Sequence, residues 1–259
     1  MNMYKFGKNF WLIFLPFHIL GFIGLFYAWD NLLTLFVLWL LIGVIGNGVA
    51  AHRYFSHSQF ETYKPVKWIL GVLATLGGIG PITHWRVQHT LHHARADTER
   101  DPHSPKYHHP FTTIYGWTFI HGDPSYQKEY FKERFVKKLM IRMLRDKFYR
   151  FFHIYYYPII YTFCFVLLLV NPVLVTLYCL AYCIDFLKLG LINYVCHRHG
   201  YRNHDTNDLS TNNLWLGWLG LGFGWHNNHH ASPKKLILTE RWWEIDIEGL
   251  IGKALSRKS

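Results

Sequence analysis

Four long apolar runs constrain this 259-residue chain more than any other feature of its sequence. The runs cover residues 9–29, 32–51, 154–170 and about 173–196. Only Asp30-Asn31 and Asn171-Pro172 separate the members of each pair. Because about 20 apolar residues cross a bilayer as a helix, the runs predict four transmembrane helices in two hairpins. The alternative is a soluble protein with buried helices, and four runs of spanning length argue against it.

The positive charges follow the same pattern. All 27 lysine and arginine residues lie outside residues 9–51 and 151–187. Since cytoplasmic segments carry the excess of these residues, we expect both termini and the large middle segment to face the cytoplasm. No cleavage site follows the first run, which we expect to be a retained span. Both the bacterial inner membrane and the endoplasmic reticulum fit this topology.

These patterns predict one all-α, integral membrane domain over residues 1–259. Residues 52–153 and 197–259 would form a cytosolic helical cap, with residues 66–82 and 214–225 as helices at the membrane interface. Residues 125–150 are basic and amphipathic, and either a helix packed on the cap or a contact with anionic membrane lipid fits them. The net charge of +11 does not indicate nucleic-acid binding, because the basic residues follow the membrane topology.

Histidine is the residue type that points to chemistry, with 18 copies in the chain. The four cysteines form no CxxC pair, so neither a disulfide framework nor a zinc ribbon is expected. Ten side chains instead fall into four clusters on the predicted cytoplasmic side: His52 and His57; His89, His92 and His93; Asn193 and His197; and His226, His229 and His230.

The spacing of these histidines predicts the directions in which their side chains project. Positions i, i+3 and i+4 share one helix face, so His89, His92 and His93 should project from one side of one helix. Adjacent residues differ by about 100° in direction, and His92 and His93 should therefore serve two neighbouring ions. His229 and His230 should divide in the same way. The five-residue separation of His52 and His57 requires their helix to end or bend between them.

Nine imidazoles and one amide make about five ligands for each of two metal ions. A structural zinc site needs only four ligands, and imidazole suits iron, zinc, copper and nickel. Surface histidines without a shared metal are the alternative. We expect the nine remaining histidines to be interface, cap or core residues, some of which could contact the metal-binding histidines. A membrane metal transporter or sensor would need a path of ionisable residues through the spans. Only His18, Asp185 and Lys188 could supply one.

The motifs HRYFSH, HTLHH and HNNHH resemble the three histidine boxes of the membrane fatty-acyl desaturases. The resemblance is to the Δ9, stearoyl-CoA-desaturase-like branch and covers about residues 10–245. Asp97-Thr98, the segment DPHSP at residues 101–105 and the N-x3-H pattern of Asn193 and His197 also match it.

The resemblance implies a mushroom-shaped protein of four spans and a cytosolic cap with two irons. It assigns His52, His57, His89, His93 and His229 to the first ion. It assigns His92, His197, His226 and His230 to the second ion, which Asn193 reaches through a water. Zinc could fill the same sites in recombinant protein. Trp85 is a candidate for lining the acyl tunnel, and a core or interface tryptophan is its alternative.

The implied reaction is the O2-dependent introduction of a cis double bond, at Δ9, into a saturated fatty-acyl chain. An external ferredoxin or cytochrome b5 would supply electrons, since no HPGG haem motif is present. The chain departs from the family at Gln88 and Thr90, and at residues 113–117, which lack the family's histidine. An acyl-CoA, acyl-lipid or acyl-carrier-protein substrate therefore stays open. A hydroxylase or acetylenase on the same scaffold is the alternative reaction.

Overall fold

The computed structural model describes residues 7–116 and 132–257 and is helical, without strands, over these residues. The helices are α1 (Leu15–Ala28), α2 (Leu32–Trp39), α3 (Lys64–Leu76), α4 (Ile82–Arg95), α5 (Arg134–Arg145), α6 (Lys147–Ile154), α7 (Tyr156–Val170), α8 (Pro172–Val195), α9 (Leu214–Leu219), α10 (His226–Ala231) and α11 (Ile247–Leu255). Wider π-helical turns precede α1 (Phe10–Phe14), extend α2 (Leu40–Ser56) and form Thr112–Gly116, and a 3-10 turn (Trp29–Asn31) joins α1 to α2. The prediction of an all-α chain is confirmed for this part of the sequence.

Two helical segments within the described residues are long and apolar enough to cross a membrane. They are Phe10–Ser56, with a mean hydropathy of 2.3, and Pro172–Val195, with 1.7. Helices α6 and α7 form a third candidate only as a pair, because they meet at a bend of 59°. The structure therefore supports two or three apolar spans.

The segment Phe10–Ser56 is folded back on itself. Asn31 leaves the helical conformation, with φ −133° and ψ 29°. The ring of Phe14 lies 5.4 Å from that of Phe186 in α8, and Gly43 lies against Asp185, the preceding residue of α8. A straight helix would separate Phe14 from Gly43 by about 44 Å. The two arms of this segment, the helical parts before and after Asn31, thus contact neighbouring residues of α8.

Helix α1 packs closely on α8 because glycine faces it. A Cβ atom on Gly24 would lie 2.5 Å from the carbonyl oxygen of Thr176. Small residues let two helix backbones approach in this way, which is a common arrangement between membrane helices. Two turns earlier in α1, the ring of Phe17 makes edge contacts with Tyr178 and Tyr182, at 5.5 and 5.2 Å.

The C-terminal segment is attached to the extension of α2 through one buried arginine. Arg53 donates hydrogen bonds to Asp246 at 2.8 Å, to the carbonyl oxygen of Leu236 at 2.6 Å and to Glu248 at 3.4 Å. Asp246 also caps α11 by accepting from the backbone N–H of Gly249 at 2.9 Å. Because Arg53 adjoins His52, this network positions the first histidine cluster against the end of the chain.

The predicted interface helices are shorter than expected. Helix α3 ends at Leu76, before Gly78 and Gly80, whose φ values of +73° and +116° do not continue a helix. Helix α9 ends at Leu219. Of the amphipathic segment 125–150, residues 125–131 lie outside the described part. In α5 the apolar side, including Val136, packs against α4, which favours a helix packed on the cap.

Candidate metal centre

Four elements carry the ten side chains that the sequence singled out. His52 lies in the π-helical extension of α2, and His57 follows its end. Helix α4 carries three histidines and α10 carries three. Asn193 and His197 lie in and just beyond the last turn of α8. The structure brings all nine histidines together in two adjacent groups.

The first group contains His52, His57, His89, His93 and His229. One ring nitrogen from each of four of them, all except His93, lies within 4.8 Å of the others. The Nε2 atoms of His52 and His229 are 3.0 Å apart, and those of His57 and His89 are 2.6 Å apart. His93 joins the group through Nε2 contacts of 3.1 Å to His89 and 3.0 Å to His229.

The second group contains His92, His197, His226 and His230, again with one ring nitrogen of each within 4.8 Å of the others. The Nε2 atoms of His197 and His226 are 3.0 Å apart, and those of His92 and His230 are 3.3 Å apart. The adjacent pairs on α4 and α10 thus divide between the groups, and each group holds the residues that the resemblance assigned to one ion.

The π-helical winding explains how His52 and His57 reach one group. The backbone N–H of His57 donates to the carbonyl oxygen of His52 at 3.2 Å, which is the i+5 hydrogen bond of a π-helix. The helix ends between the two residues, at Ser56, as their spacing required. The wider turn brings the two rings to a centroid distance of 4.9 Å.

Three aspartates orient the second group from outside. Asp101 accepts from Nδ1 of His92 at 3.0 Å, Asp97 from Nδ1 of His197 at 2.8 Å, and Asp208 from Nδ1 of His230 at 2.7 Å. A histidine that donates from Nδ1 to a carboxylate presents the lone pair of Nε2 on the opposite side of its ring. These three Nε2 lone pairs all point into the second group.

The donor set fits a metal ion. Facing Nε2 lone pairs at about 3 Å repel each other unless a proton or a cation lies between them. Two ligands bound at about 2.1 Å to one ion lie about 3.0 Å apart at a right angle and about 3.4 Å apart in a tetrahedron. Five of the six Nε2 contacts given above lie between 3.0 and 3.3 Å, near these values, and the contact of His57 with His89 is shorter, at 2.6 Å. The histidine clusters are therefore compatible with a metal site, and an imidazole donor set suits iron and zinc alike.

Burial keeps most of these histidines neutral. It lowers the pKa of His57 to about 3, with a further contribution from the charges of Arg53 and Arg86. Burial and neighbouring histidines hold the pKa values of His93, His226 and His230 well below the usual range. Neutral imidazole is the form that binds a metal, so these four histidines are prepared for one with little competition from protons.

His92 differs from its neighbours. Burial lowers its pKa, but the charge and hydrogen bond of Asp101, together with the charges of Asp97 and Asp208, outweigh burial, and the net shift is upward. The same contact lowers the pKa of Asp101 against the effect of its own burial. The carboxylate of Asp101 thus polarises His92, which increases the basicity of this imidazole as a ligand.

The first group has no equivalent carboxylates on two of its members. The Nδ1 atoms of His52 and His229 are buried, and within the described residues they have no hydrogen-bond partner. The ring of His52 instead stacks on Phe223 at 4.5 Å, and Trp85 stacks on His89 at 5.5 Å with an interplanar angle of 9°. Aromatic ring contacts thus orient His52 and His89 of the first group, whereas carboxylates orient three of the four histidines of the second group.

Asn193 is buried in the last turn of α8, one turn before His197. Its amide makes no hydrogen bond to a histidine within residues 7–116 and 132–257. Trp85 is also buried, on the same helix as His89. These positions place both residues next to the histidine groups and leave their predicted roles as proposals.

The sequence reasoning missed Asp97, Asp101 and Asp208 as partners of the histidines. Asp97 and Asp101 stood out only as part of the resemblance, and no acidic residue falls within the four clusters themselves. The four-residue spacing of Asp97 and Asp101 just after α4 was the signal in the sequence that could have indicated them. Of the nine other histidines, His103 stacks on His92 at 4.4 Å, and His121 lies outside the described residues.

Comparison with known proteins places this geometry in context. Residues 31–245 match the family model described as fatty acid desaturase. The chain is 30% identical over 241 residues to the sn-1 stearoyl-lipid 9-desaturase of Anabaena variabilis, an alignment that covers 91% of this chain and 85% of that protein. It is 32% identical to Delta-9 acyl-lipid desaturase 2 of Arabidopsis thaliana, in an alignment that covers 90% of this chain and 75% of that protein. It is 31% identical to the acyl-CoA C20 Delta5-desaturase of Anemone leveillei, in an alignment that covers 88% of this chain and 72% of that protein.

Proposed function

Because this chain belongs to the fatty acid desaturase family, and is thus an oxidoreductase acting on fatty acyl chains, we propose that it introduces a cis double bond at Δ9 of a saturated chain. The reaction consumes O2, two electrons and two protons, and the acyl –CH2–CH2– becomes –CH=CH– as two waters form. The observation that carries the proposal is the convergence of nine imidazole Nε2 atoms in two adjacent groups.

The proposed cofactor is a pair of iron ions, one in each group. His52, His57, His89, His93 and His229 would hold the first ion, and His92, His197, His226 and His230 would hold the second. Iron supplies the O2 chemistry that removes hydrogen from an unactivated C–H bond, which acid–base side chains cannot do. In recombinant protein zinc can take the same positions, because the ligands suit both metals.

The side chains of this chain do the remaining work. Asp97, Asp101 and Asp208 fix the ring orientation of three ligands before metal arrives. Six of the nine histidines are buried, namely His52, His89, His92, His197, His226 and His229, which limits the access of bulk water to the reacting groups. Asn193 is proposed to act on the second ion through a water molecule. Trp85, stacked on His89, is proposed to line the tunnel that receives the acyl chain.

The proposed setting is a membrane that the chain crosses four times, with both termini in the cytoplasm. The two arms of Phe10–Ser56 would be the first two spans, the α6–α7 region would supply the third and α8 the fourth. The donor is proposed to be a separate ferredoxin or cytochrome b5 type protein. Some relatives are named as lipid desaturases and others as acyl-CoA desaturases. The group that carries the acyl chain of the substrate is therefore to be tested with acyl-lipid, acyl-CoA and acyl carrier protein.

A fatty-acid profile tests the proposal. The chain is expressed in a host without its own desaturase, together with ferredoxin and cytochrome b5 donors. Gas chromatography–mass spectrometry with double-bond localisation then compares wild type with His92→Ala and His230→Ala. We expect a new O2-dependent Δ9 monoene from wild type only, with both variants still inserted in the membrane. A hydroxy acid or an alkyne would identify the alternative oxidases, and turnover by either variant would contradict the two-metal site.

A further inference from the structure

One polar cavity opens directly onto the first histidine group. It has a volume of about 690 Å³, and His57 and His93 form part of its wall. Ser56, Thr90 and Ser232 also line it. Among the members of the first group, His52, His89 and His229 are buried, whereas His57 and His93 are only half-buried. The cavity is therefore where the outside of the protein meets this group.

The rim of the cavity is basic. Arg86, Lys234 and Lys235 lie on it. Lys235 is paired with Glu240 at 2.8 Å, and Arg86 donates to the neutral hydroxyl of Tyr149 at 3.1 Å. Within the described residues, Arg86 and Lys234 have no carboxylate partner. Two positive charges thus face outward beside the two accessible imidazoles.

We propose that this basic rim, defined by Arg86, Lys234 and Lys235, is the docking site of an acidic one-electron redox protein. The inference rests on the proposed function, which requires two electrons from outside the chain for each O2 consumed. Two successive reduced donors would each be oxidised by one electron at this site. Electron transfer slows steeply with distance, and this cavity has two imidazoles of the first histidine group, His57 and His93, in its wall.

The charge of the rim favours an acidic redox protein as its partner. A rim on which Arg86 and Lys234 have no carboxylate partner among the described residues attracts an acidic protein, and such charges mainly affect the association rate and its salt dependence. The acyl chain, by contrast, binds best in a tunnel of apolar side chains, and Pro233 is the one residue with an apolar side chain among those that line this cavity. Electrons would enter through His57 and His93, on the side of the first group, whose ligands lack the carboxylates of the second.

The test uses detergent-solubilised, metal-loaded full-length protein and two probes, an acidic [2Fe–2S] ferredoxin and the soluble haem domain of cytochrome b5. Binding of each oxidised probe is measured by titration at low and high salt for wild type, Lys234→Glu and Lys106→Glu. Lys106 is the matched control, because it is exposed and stacks only on Tyr107 outside the cavity. The rate of re-oxidation of each reduced probe is recorded in parallel.

We expect Lys234→Glu to weaken binding of the acidic probe about three- to tenfold at low salt, with the difference lost at high salt. Lys106→Glu should bind like wild type. Equal binding by wild type and Lys234→Glu would overturn the proposal. It would also be overturned if Lys234→Glu instead weakened binding of inorganic phosphate or of vesicles with anionic headgroups, since the cavity would then belong to a substrate headgroup.

A separate measurement distinguishes failure of docking from failure of the proposed function. Wild-type protein is reduced chemically with dithionite, exposed to O2 with acyl substrate, and assayed for alkene after a single turnover. Alkene together with unchanged donor binding by Lys234→Glu contradicts the docking site alone. Absence of alkene from fully iron-loaded protein, with each of the three acyl carriers supplied in turn, contradicts the proposed function on which the docking site rests.

Discussion

Nδ1 of His92 lies 3.0 Å from each carboxylate oxygen of Asp101, and this contact turns Nε2 of His92 toward His230. Asp101 also accepts from the backbone N–H groups of Asp97 and His103, at 2.9 and 3.1 Å. The carboxylate is therefore held by the loop that follows α4 and is not free to rotate away. One loop thus orients His92 through Asp101 and His197 through Asp97.

Replacing Asp101 should weaken the second metal site. In Asp101→Asn the charge that polarises His92 is lost, and loss of such a partner typically costs 10- to 100-fold in metal affinity, roughly. Competition with a chelator, followed by metal analysis, measures the affinity of each site. Asp205→Asn is the control, since Asp205 is fully exposed and touches no histidine ligand. Unchanged affinity of the second site in Asp101→Asn would show that Asp101 does not support a metal ligand.

Replacing Asn193 and replacing His197 should have different effects on metal content and turnover. Asn193→Ala should lower turnover and leave two metals bound, because the proposed contact passes through water. His197→Ala should lose the second metal and all turnover. Metal content and product yield, measured on the same preparations, separate the two cases. Wild-type turnover by Asn193→Ala would remove this residue from the site.

Glu248 should make folding stability depend on pH. Arg53 lies closer to Asp246, at 2.8 Å, than to Glu248, at 3.4 Å, and Lys188 pairs with Asp185, so ionised Glu248 would be a third buried negative charge against two positive charges. Burial raises its pKa from 4.5 to about 8, although Lys188 and Arg53 act in the opposite direction. The folded protein then keeps a proton that the unfolded chain releases above its own pKa, so this stabilisation is lost as pH rises through about 8.

The melting temperature of Glu248→Gln should therefore fall less than that of wild type between about pH 5 and pH 9. Glutamine retains the shape and cannot ionise. Thermal unfolding followed by tryptophan fluorescence measures the difference, with Glu240→Gln as the control on the exposed surface. Parallel pH profiles for wild type and Glu248→Gln would mean that Glu248 is ionised in the folded protein.

Gly48 should tolerate no side chain. A Cβ atom at this position would overlap the carboxyl group of Glu248, which is itself fixed by Arg53. Overpacking of this kind costs about 1–3 kcal/mol, so Gly48→Ala should unfold at a clearly lower temperature. Gly252→Ala is the matched control, because its Cβ would meet only the flexible end of Leu236, at 2.9 Å, and Phe60. Equal melting temperatures for the two variants would contradict the close approach of α2's extension to α11.

Histidine spacing predicted more of the site than of the fold. The i, i+3, i+4 pattern on α4 and α10 was sufficient to divide His92 from His93 and His229 from His230, because helix geometry fixes those directions. The desaturase family followed from the same motifs and is confirmed. The ligand roles remain predictions, since spacing establishes proximity and not occupancy.

Other features depended on contacts that no local pattern encodes. The π-helical winding between His52 and His57 was not foreseen, and neither was the bend of 59° between α6 and α7. Asp208 follows α8 by a loop and meets His230 only after the chain has folded. Long-range pairs such as Arg53 with Asp246 lie 193 residues apart and leave no signature in a single sequence.

Counting iron in variants of each group tests the central claim most directly. Anaerobically reconstituted wild type, His57→Ala and His226→Ala are purified, and iron per chain is measured by mass spectrometry alongside single-turnover alkene formation. The account predicts two irons and alkene for wild type, and one iron and no alkene for each variant. Loss of both irons from either variant, or alkene from a chain that holds one, would contradict two separate histidine-bound ions acting together in desaturation.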